Sequence, residues 1–420
     1  MLRNGGHQIF ILDCANPRRS IAGLLRGVRD FHPDAIIWSI GNPTAGEDLQ
    51  LAEVLRAAAP GARTLVFGTV AATLADYVLD RVPAIDAIAL AEPEGVALEA
   101  LSRWSEGEEL SGVPGLRHRN GGDSAAGERR PFLSLSSLPM PAWDLVGPRN
   151  YKLPLSGRPF LMAAPSRGCP YRCTFCTTET YYGTKVRERT VHDFVDELSY
   201  SVHTYGVRDF LYWADTFTID RRFVLALCAE IQGRKLGIQW ACNSRTDTMD
   251  EEMALAMRAA GCWIVSFGIE SASREILDSS RKRARTDTIH ATLRMADDTG
   301  LACAGHFIIG MPGETRATAL ATIEYACSLP LSFAQFYAAA PWPGAPLFDE
   351  ALKMGRVTLE DVWAGIGQDE ARVSVCALEP GEINELIALA YRRFYRRRKP
   401  VFAAVRQLRP AGLAQLLPVG

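Results

Sequence analysis

Short apolar runs alternate with helix-length amphipathic stretches from the N-terminus. A second set of larger strand–helix units follows residue 158, and the tail is helical and basic. Together these predict an α/β protein: a truncated Rossmann-like domain, then a partial (β/α)6 TIM-type barrel, then C-terminal helices. The expected boundaries are 1–105 for the first domain, 106–157 for a linker, 158–350 for the barrel and 351–420 for the helical region.

In the first domain, apolar runs at 7–13, 34–40, 63–68 and 86–90 read as strands. Helical patterns near 18–30, 47–59, 71–80 and 93–104 lie between and after them, as right-handed βαβ units require. Leu2-Arg3-Asn4-Gly5-Gly6 reads as the last turn of a helix with its glycine cap. A doubly wound domain opens on a strand, so the expectation is that one strand and one helix are missing ahead of residue 1. Residues 106–130 are rich in Gly, Ser and charge and read as a surface excursion. Leu138–Trp143 is a proline-stiffened crossing with Trp143 expected as its buried anchor.

Six barrel strands are expected at 158–166, 209–213, 238–243, 263–270, 302–310 and 332–338. The first barrel helix opens at Thr190 with Asp193 three residues on, a capping-box-like start, and carries Val191, Phe194, Val195, Leu198 and Val202 at helical spacing. Another helix ends at Gly300. Chemistry in such a barrel belongs at the C-terminal strand ends.

The 420 residues carry a net charge of −2, are 22% charged and 48% hydrophobic, and include ten cysteines. That balance gives no reason to expect a nucleic-acid or membrane-surface partner. No apolar run approaches the roughly 20 residues of a membrane helix, and residues 1–20 do not resemble a signal peptide, so a cytoplasmic protein is expected. The basic run 392–399 reads as a solvated helix face. Seven cysteines (Cys14, Cys228, Cys242, Cys262, Cys303, Cys327 and Cys376) are scattered singly, which excludes a disulfide framework. The other three, Cys169, Cys173 and Cys176, fall in one C-x3-C-x2-C loop after the first barrel strand. Four protein ligands would close a zinc or iron–sulfur site; three thiolates on a [4Fe–4S] cluster leave one iron open. A zinc knuckle borrowing a histidine is the alternative.

The loop Cys169-Pro-Tyr-Arg-Cys173-Thr-Phe175-Cys176 resembles the signature of radical S-adenosylmethionine (SAM) enzymes. Tyr212–Thr218, Trp240-x-Cys-Asn-Ser-Arg245, Gly261–Ser271, Phe307–Glu314 and Pro341-Trp-Pro-Gly344 are similar, in order, to motifs of the subclass with an N-terminal cobalamin-binding-type domain. Glu92-Pro93-Glu94 and Leu138–Trp143 match that subclass too. The resemblance implies a [4Fe–4S] cluster on the three cysteines, chelation of SAM by the open iron, and reductive cleavage to a 5′-deoxyadenosyl radical. It also implies an electron donor such as flavodoxin or ferredoxin, and a small-molecule substrate.

Residue by residue, the resemblance assigns SAM contacts to Phe175, Asp215, Asn243, Arg245, Glu270, Ile308 and Gly310. Asp215 is alternatively a helix N-cap, Arg245 a salt-bridge residue, and Gly310 part of a helix-entry turn ahead of Glu314. Cys242 and Cys303 are candidates to quench a substrate radical, or else pack. His306 is a candidate acid–base group, or a core histidine with a satisfied hydrogen bond. Glu179, Tyr181, Tyr182, Trp213 and Trp342 are candidates to line the substrate cavity.

Because the first strand and its loop are expected to be missing, and no D-x-H-x-x-G motif occurs, the sequence-based expectation leans against bound cobalamin. It favours radical dehydration of a hydroxylated or amino-sugar-like metabolite in natural-product biosynthesis. That chemistry resembles the aminoglycoside 3′-deoxygenases, diol dehydratases that work with a partner reductase. A cobalamin-dependent C-methyltransferase or ring-forming enzyme is the alternative.

Overall fold

The computed structural model describes residues 1–13, 20–119, 129–410 and 412; Cys14 lies outside them. The chain divides into two compact units. One comprises Met1–Val146, Phe175–Thr184 and Ala340–Gly367, and the other Gly147–Thr174, Lys185–Ala339 and Gln368–Gly420.

In the first unit, β1 (Ala35–Ser39), β2 (Arg63–Phe67) and β3 (Ala87–Ala89) are parallel, and β4 (Leu116–His118) runs antiparallel on β3. β4 lies inside the stretch read from sequence as a surface excursion. Leu65, Ala87, Ala89, Val96, Ala100, Leu110, Val113 and Leu116 form one buried cluster on this sheet. Three of its strands fall within a residue or two of the expected positions. The helices are ended by local chemistry: Ser20 Oγ accepts the Gly23 N–H at 3.1 Å, and Gly107 takes a left-handed φ of 73° after helix Pro93–Glu106.

Residues 7–13 form no strand. Phe10 stacks on Phe31 at 5.2 Å, and Leu12 packs closely enough on Gly27 that a Cβ there would lie 3.0 Å from it. The side chains thus find a helix to pack on, while among the described residues the backbone has no neighbouring strand to pair with. Trp143 is half-buried in a single 3-10 turn, so it does not act as a buried anchor. The turn at 1–6 is as expected, with Gly6 at φ 89° and His7 N–H donating to Leu2 O at 3.2 Å.

The second unit holds β5 (Phe160–Ala163), the short pair β6 (Ser166–Arg167) and β7 (Arg187–Glu188), then β8 (Asp209–Tyr212), β9 (Gln239–Ser244), β10 (Cys262–Glu270), β11 (Ala302–Ile309) and β12 (Phe333–Ala338). Six of these form a parallel sheet in the order β12-β11-β10-β9-β8-β5, the expected partial barrel.

Strand alternation divides its residues between two faces. Tyr212, Trp240, Cys242, Phe267, Cys303, Phe307 and Phe336 are buried toward the helices, with Tyr212 and Trp240 stacked at 4.5 Å. Asn243, Ser266, Gly268, His306, Gln335 and Tyr337 lie on the other, inner face, where every one of them is half-buried or exposed. The register aligns Asn243 with Ser266, and Gly268 with His306 and then Gln335.

Candidate active site

The cysteine loop leaves β6 through Gly168, whose φ of 92° suits only glycine at low cost. Its N–H donates to Asp215 Oδ2 at 2.8 Å, so the carboxylate that ends the second barrel strand pins the start of the loop and caps no helix. Cys169 Sγ lies 3.4 Å from Thr216 Oγ1 in the same turn. Tyr171 lies under the Arg245 guanidinium, 3.7 Å from its ring centre, and Thr174 N–H donates to Ser280 O at 3.0 Å. Phe175 and Cys176, with helix Thr178–Tyr181, are grouped in the first unit; there the Cys176 thiol bonds Thr178 Oγ1 at 3.3 Å.

All three thiols are half-buried and free of disulfides, and they sit on a glycine-opened loop at strand ends. That donor set fits a [4Fe–4S] cluster with one iron open. Among the described residues no three His, Cys, Asp or Glu side chains converge as a metal-holding group. Cys169 and Cys176 are instead engaged with neighbouring threonines.

Arg245 is buried, and its fork is taken up locally. Nε and Nη2 donate to the two Asp247 oxygens at 2.8 and 2.7 Å, and Nη2 also donates to Lys282 O at 2.9 Å. The residue therefore ties the cysteine loop to the segment after β10. Glu270 ends β10 at a bulge, with a φ of 67° that a non-glycine residue adopts only under constraint. The constraint is Lys282, whose Nζ donates to Glu270 Oε1 at 2.9 Å, both side chains being about nine-tenths buried. Gly268 leaves room for this pair, because a Cβ there would lie 2.4 Å from Glu270 Oε1 and 2.5 Å from Lys282 Nζ. Buried charges persist when paired in this way.

At the end of β11, Gly310 has a φ of 99°, and its N–H donates to the Glu314 carboxylate at 2.5 Å. Glu314 is fully buried, and desolvation pushes its carboxyl up to about 7 despite bonds from the Gly310 and Met311 amides. Ile308 lies on the inner face, level with Tyr337.

Of the residues singled out in the sequence, the barrel unit gathers Asp215, Asn243, Arg245, Glu270, His306, Ile308 and Gly310 on strands or strand ends. Trp213 stands half-exposed just after β8. Glu179, Tyr181, Tyr182 and Trp342 belong to the first unit, where Trp342 Nε1 donates to Ile366 O at 2.7 Å. Cys242 and Cys303 face away from the inner side. The Cys303 thiol points at Leu301 O and Leu293 O under a helix, and burial pushes it up to about 12. Lys282 escaped sequence reasoning because Arg281–Arg285 reads as an exposed basic run. Gln335 and Tyr337 were legible as alternate residues of one strand.

The radical SAM superfamily model matches residues 164–326. The barrel has the radical SAM fold. The chain is 29% identical to a protein named as an uncharacterised methyltransferase, PH0819, of Pyrococcus horikoshii, over 94% of this chain and 85% of that one. It is 28% identical to cytidylyl-2-hydroxyethylphosphonate methyltransferase of Streptomyces wedmorensis, over 91% and 79% of the two chains. Its fold matches that of the radical SAM methyltransferase TsrM from Kitasatospora setae, solved with cobalamin and a [4Fe–4S] cluster, with a TM-score of 0.71. That match has 20% identity and covers 84% of this chain and 74% of the other.

These relatives overturn two expectations. Dehydration without cobalamin, and with it the aminoglycoside reading, is set aside, because relatives aligned over nearly the whole of this chain are named methyltransferases. The lean against cobalamin fails as well, since the fold is shared with a protein solved holding it. Among the described residues, no helix is long and apolar enough to cross a membrane.

Proposed function

We propose that this protein is a cobalamin-dependent radical SAM methyltransferase acting on a small molecule. The observation that carries the reading is the length of the correspondence: relatives named methyltransferases align across both units, not across the barrel alone.

The first unit has features that fit a corrinoid at the C-terminal ends of its parallel strands, where doubly wound sheets bind ligands. Gly68, just after β2, has a φ of 115°, and a Cβ there would lie 2.3 Å from Ile40 O beyond β1. Beside it, Asn42 donates to Thr69 Oγ1 at 2.9 Å, while its own Oδ1 is buried without a hydrogen-bond partner among the described residues. A close backbone approach and an orphaned acceptor suit a cradle for a polar ligand tail.

When bound, the cluster supplies the electron that opens the SAM sulfonium, and the corrinoid supplies a transferable methyl group. Cys169, Cys173 and Cys176 would hold the cluster. Asp215 fixes the loop that carries them, and Arg245 braces Tyr171 within it. Glu270, held by Lys282 through Oε1, would hydrogen-bond SAM, and Asn243 and Ile308 lie on the inner face of the same sheet. The barrel encloses the reacting groups and excludes water, and an external electron donor delivers the electron.

The test is anaerobic purification from cobalamin-replete cells, followed by desalting and quantification of corrinoid by its visible spectrum. Near-stoichiometric retention supports the reading. Protein that carries a full cluster yet neither retains nor takes up hydroxocobalamin contradicts it.

A further inference from the structure

His306 stands on the inner face of the barrel at mid-strand, level with the side-chain-free Gly268 on one side and Gln335 on the other. Its ring stacks on that of Tyr337 at 5.7 Å with only 10° between the planes, and Nδ1 lies 3.2 Å from the Tyr337 hydroxyl. The hydroxyl in turn donates to Gln335 Oε1. This order has a consequence for the protons. A phenol has one hydrogen, and it is committed to Gln335, so the Tyr337 oxygen can only accept from the imidazole. Nδ1 therefore carries the ring proton, and Nε2 carries a lone pair. No protein group bonds Nε2 among the described residues.

Burial holds the imidazole below its ordinary range; Glu270 pulls the other way, and the Lys282 ammonium adds a smaller push down. The ring is thus neutral, with its acceptor nitrogen unused.

We infer that His306 Nε2 is a substrate-binding acceptor in the barrel, receiving a hydroxyl or N–H donor of the substrate, with Tyr337 and Gln335 as the positioning residues that fix its tautomer. A substrate with such a donor gains a hydrogen bond in a half-buried site, and an analogue with that donor capped leaves the acceptor unpaired. The inference rests on the barrel being the reaction chamber and names the substrate class for the proposed methyl transfer. It does not depend on cobalamin.

The experiment uses the full-length holoprotein with its cluster oxidised and its histidines labelled with 15N. The His306 signals are assigned by their loss in His306→Asn, and two-bond 15N–1H correlations report the tautomer. At pH 7.5 the expected result is a protonated Nδ1 and a pyridine-type Nε2. Tyr337→Phe, or Gln335→Met should the first variant fold poorly, is expected to shift the ring toward the Nε2–H form that free histidine prefers. Phenol, used as a donor probe, should move the Nε2 resonance, whereas anisole, the same ring with its hydroxyl capped, should not. An Nε2–H tautomer in the wild type, which the opposite amide orientation of Gln335 would produce, overturns the inference. So does an imidazolium at pH 7.5, or an equal response to phenol and anisole. None of these readouts changes if the protein proves to transfer something other than a methyl group.

Discussion

The two faces of the barrel sheet are built from the same strands and have opposite chemistry. Toward the helices, Tyr212, Trp240, Cys242, Phe267, Cys303 and Phe307 are excluded from solvent, with the Tyr212 ring stacked on Trp240. On the inner face, one residue out of phase, stand Asn243, Ser266, His306, Gln335 and Tyr337, half-buried or exposed and polar. Strand phase alone separates a thiol that packs from a half-buried imidazole on the inner face. Candidate residues in a barrel are therefore sorted by strand phase before they are sorted by chemical type. Cys303 and His306 are three apart on β11 and lie on opposite faces.

The comparison can be broken at several points. The largest effect is expected at the cysteine loop that follows β6. Cys173→Ala should abolish the cluster's absorbance and reduce 5′-deoxyadenosine formation from SAM to background, measured by chromatography after anaerobic reconstitution.

Glu314 is next. Its carboxyl sits near 7 in the folded protein against an ordinary 4.5, so its contribution to stability is full below about pH 4.5 and is lost as pH rises through 7. Over about 2.5 units at about 1.36 kcal/mol per unit, the full loss is about 3.4 kcal/mol. Glu314→Gln keeps an acceptor for the Gly310 N–H and should flatten that part of the profile in denaturant titrations at pH 5 and 8. An unchanged pH slope would contradict the assignment.

On the outer face, Cys303→Ser buries a hydroxyl where a thiol packed. It should cost about 1–3 kcal/mol in unfolding free energy while leaving 5′-deoxyadenosine formation within twofold of wild type. A selective loss of turnover with stability intact would place Cys303 in the chemistry after all. On the inner face the expected pattern is reversed: Asn243→Ala should slow SAM cleavage about tenfold, equivalent to about 1.4 kcal/mol, with the melting temperature nearly unchanged.

The barrel was legible in the sequence because each of its strands is an apolar run bounded by helix caps or glycine. Five of the six, β8 to β12, begin and end within a residue or so of the expected bounds, and only β5 is notably shorter. The cysteine loop was legible from spacing alone. Residues 7–13 were misread because an apolar run signals burial, not the neighbouring strand that pairing needs. The environment of Arg245 was hidden for a related reason: Asp247, two residues along, and Lys282, far along, meet it only in the fold. The choice of reaction went astray because it rested on where the chain begins. The presence or absence of residues ahead of β1 does not report on the cradle proposed at Ile40, Asn42 and Gly68, after β1 and β2.

The central claim is methyl transfer by a radical SAM enzyme that uses cobalamin, and one incubation tests it most directly. Protein reconstituted anaerobically with iron and sulfide is supplied with SAM, a low-potential reductant and hydroxocobalamin, and its products are separated by chromatography. The account predicts both 5′-deoxyadenosine and S-adenosylhomocysteine, the second appearing only when cobalamin is present. A fully clustered protein that cleaves no SAM, or that yields 5′-deoxyadenosine but never S-adenosylhomocysteine, would contradict it.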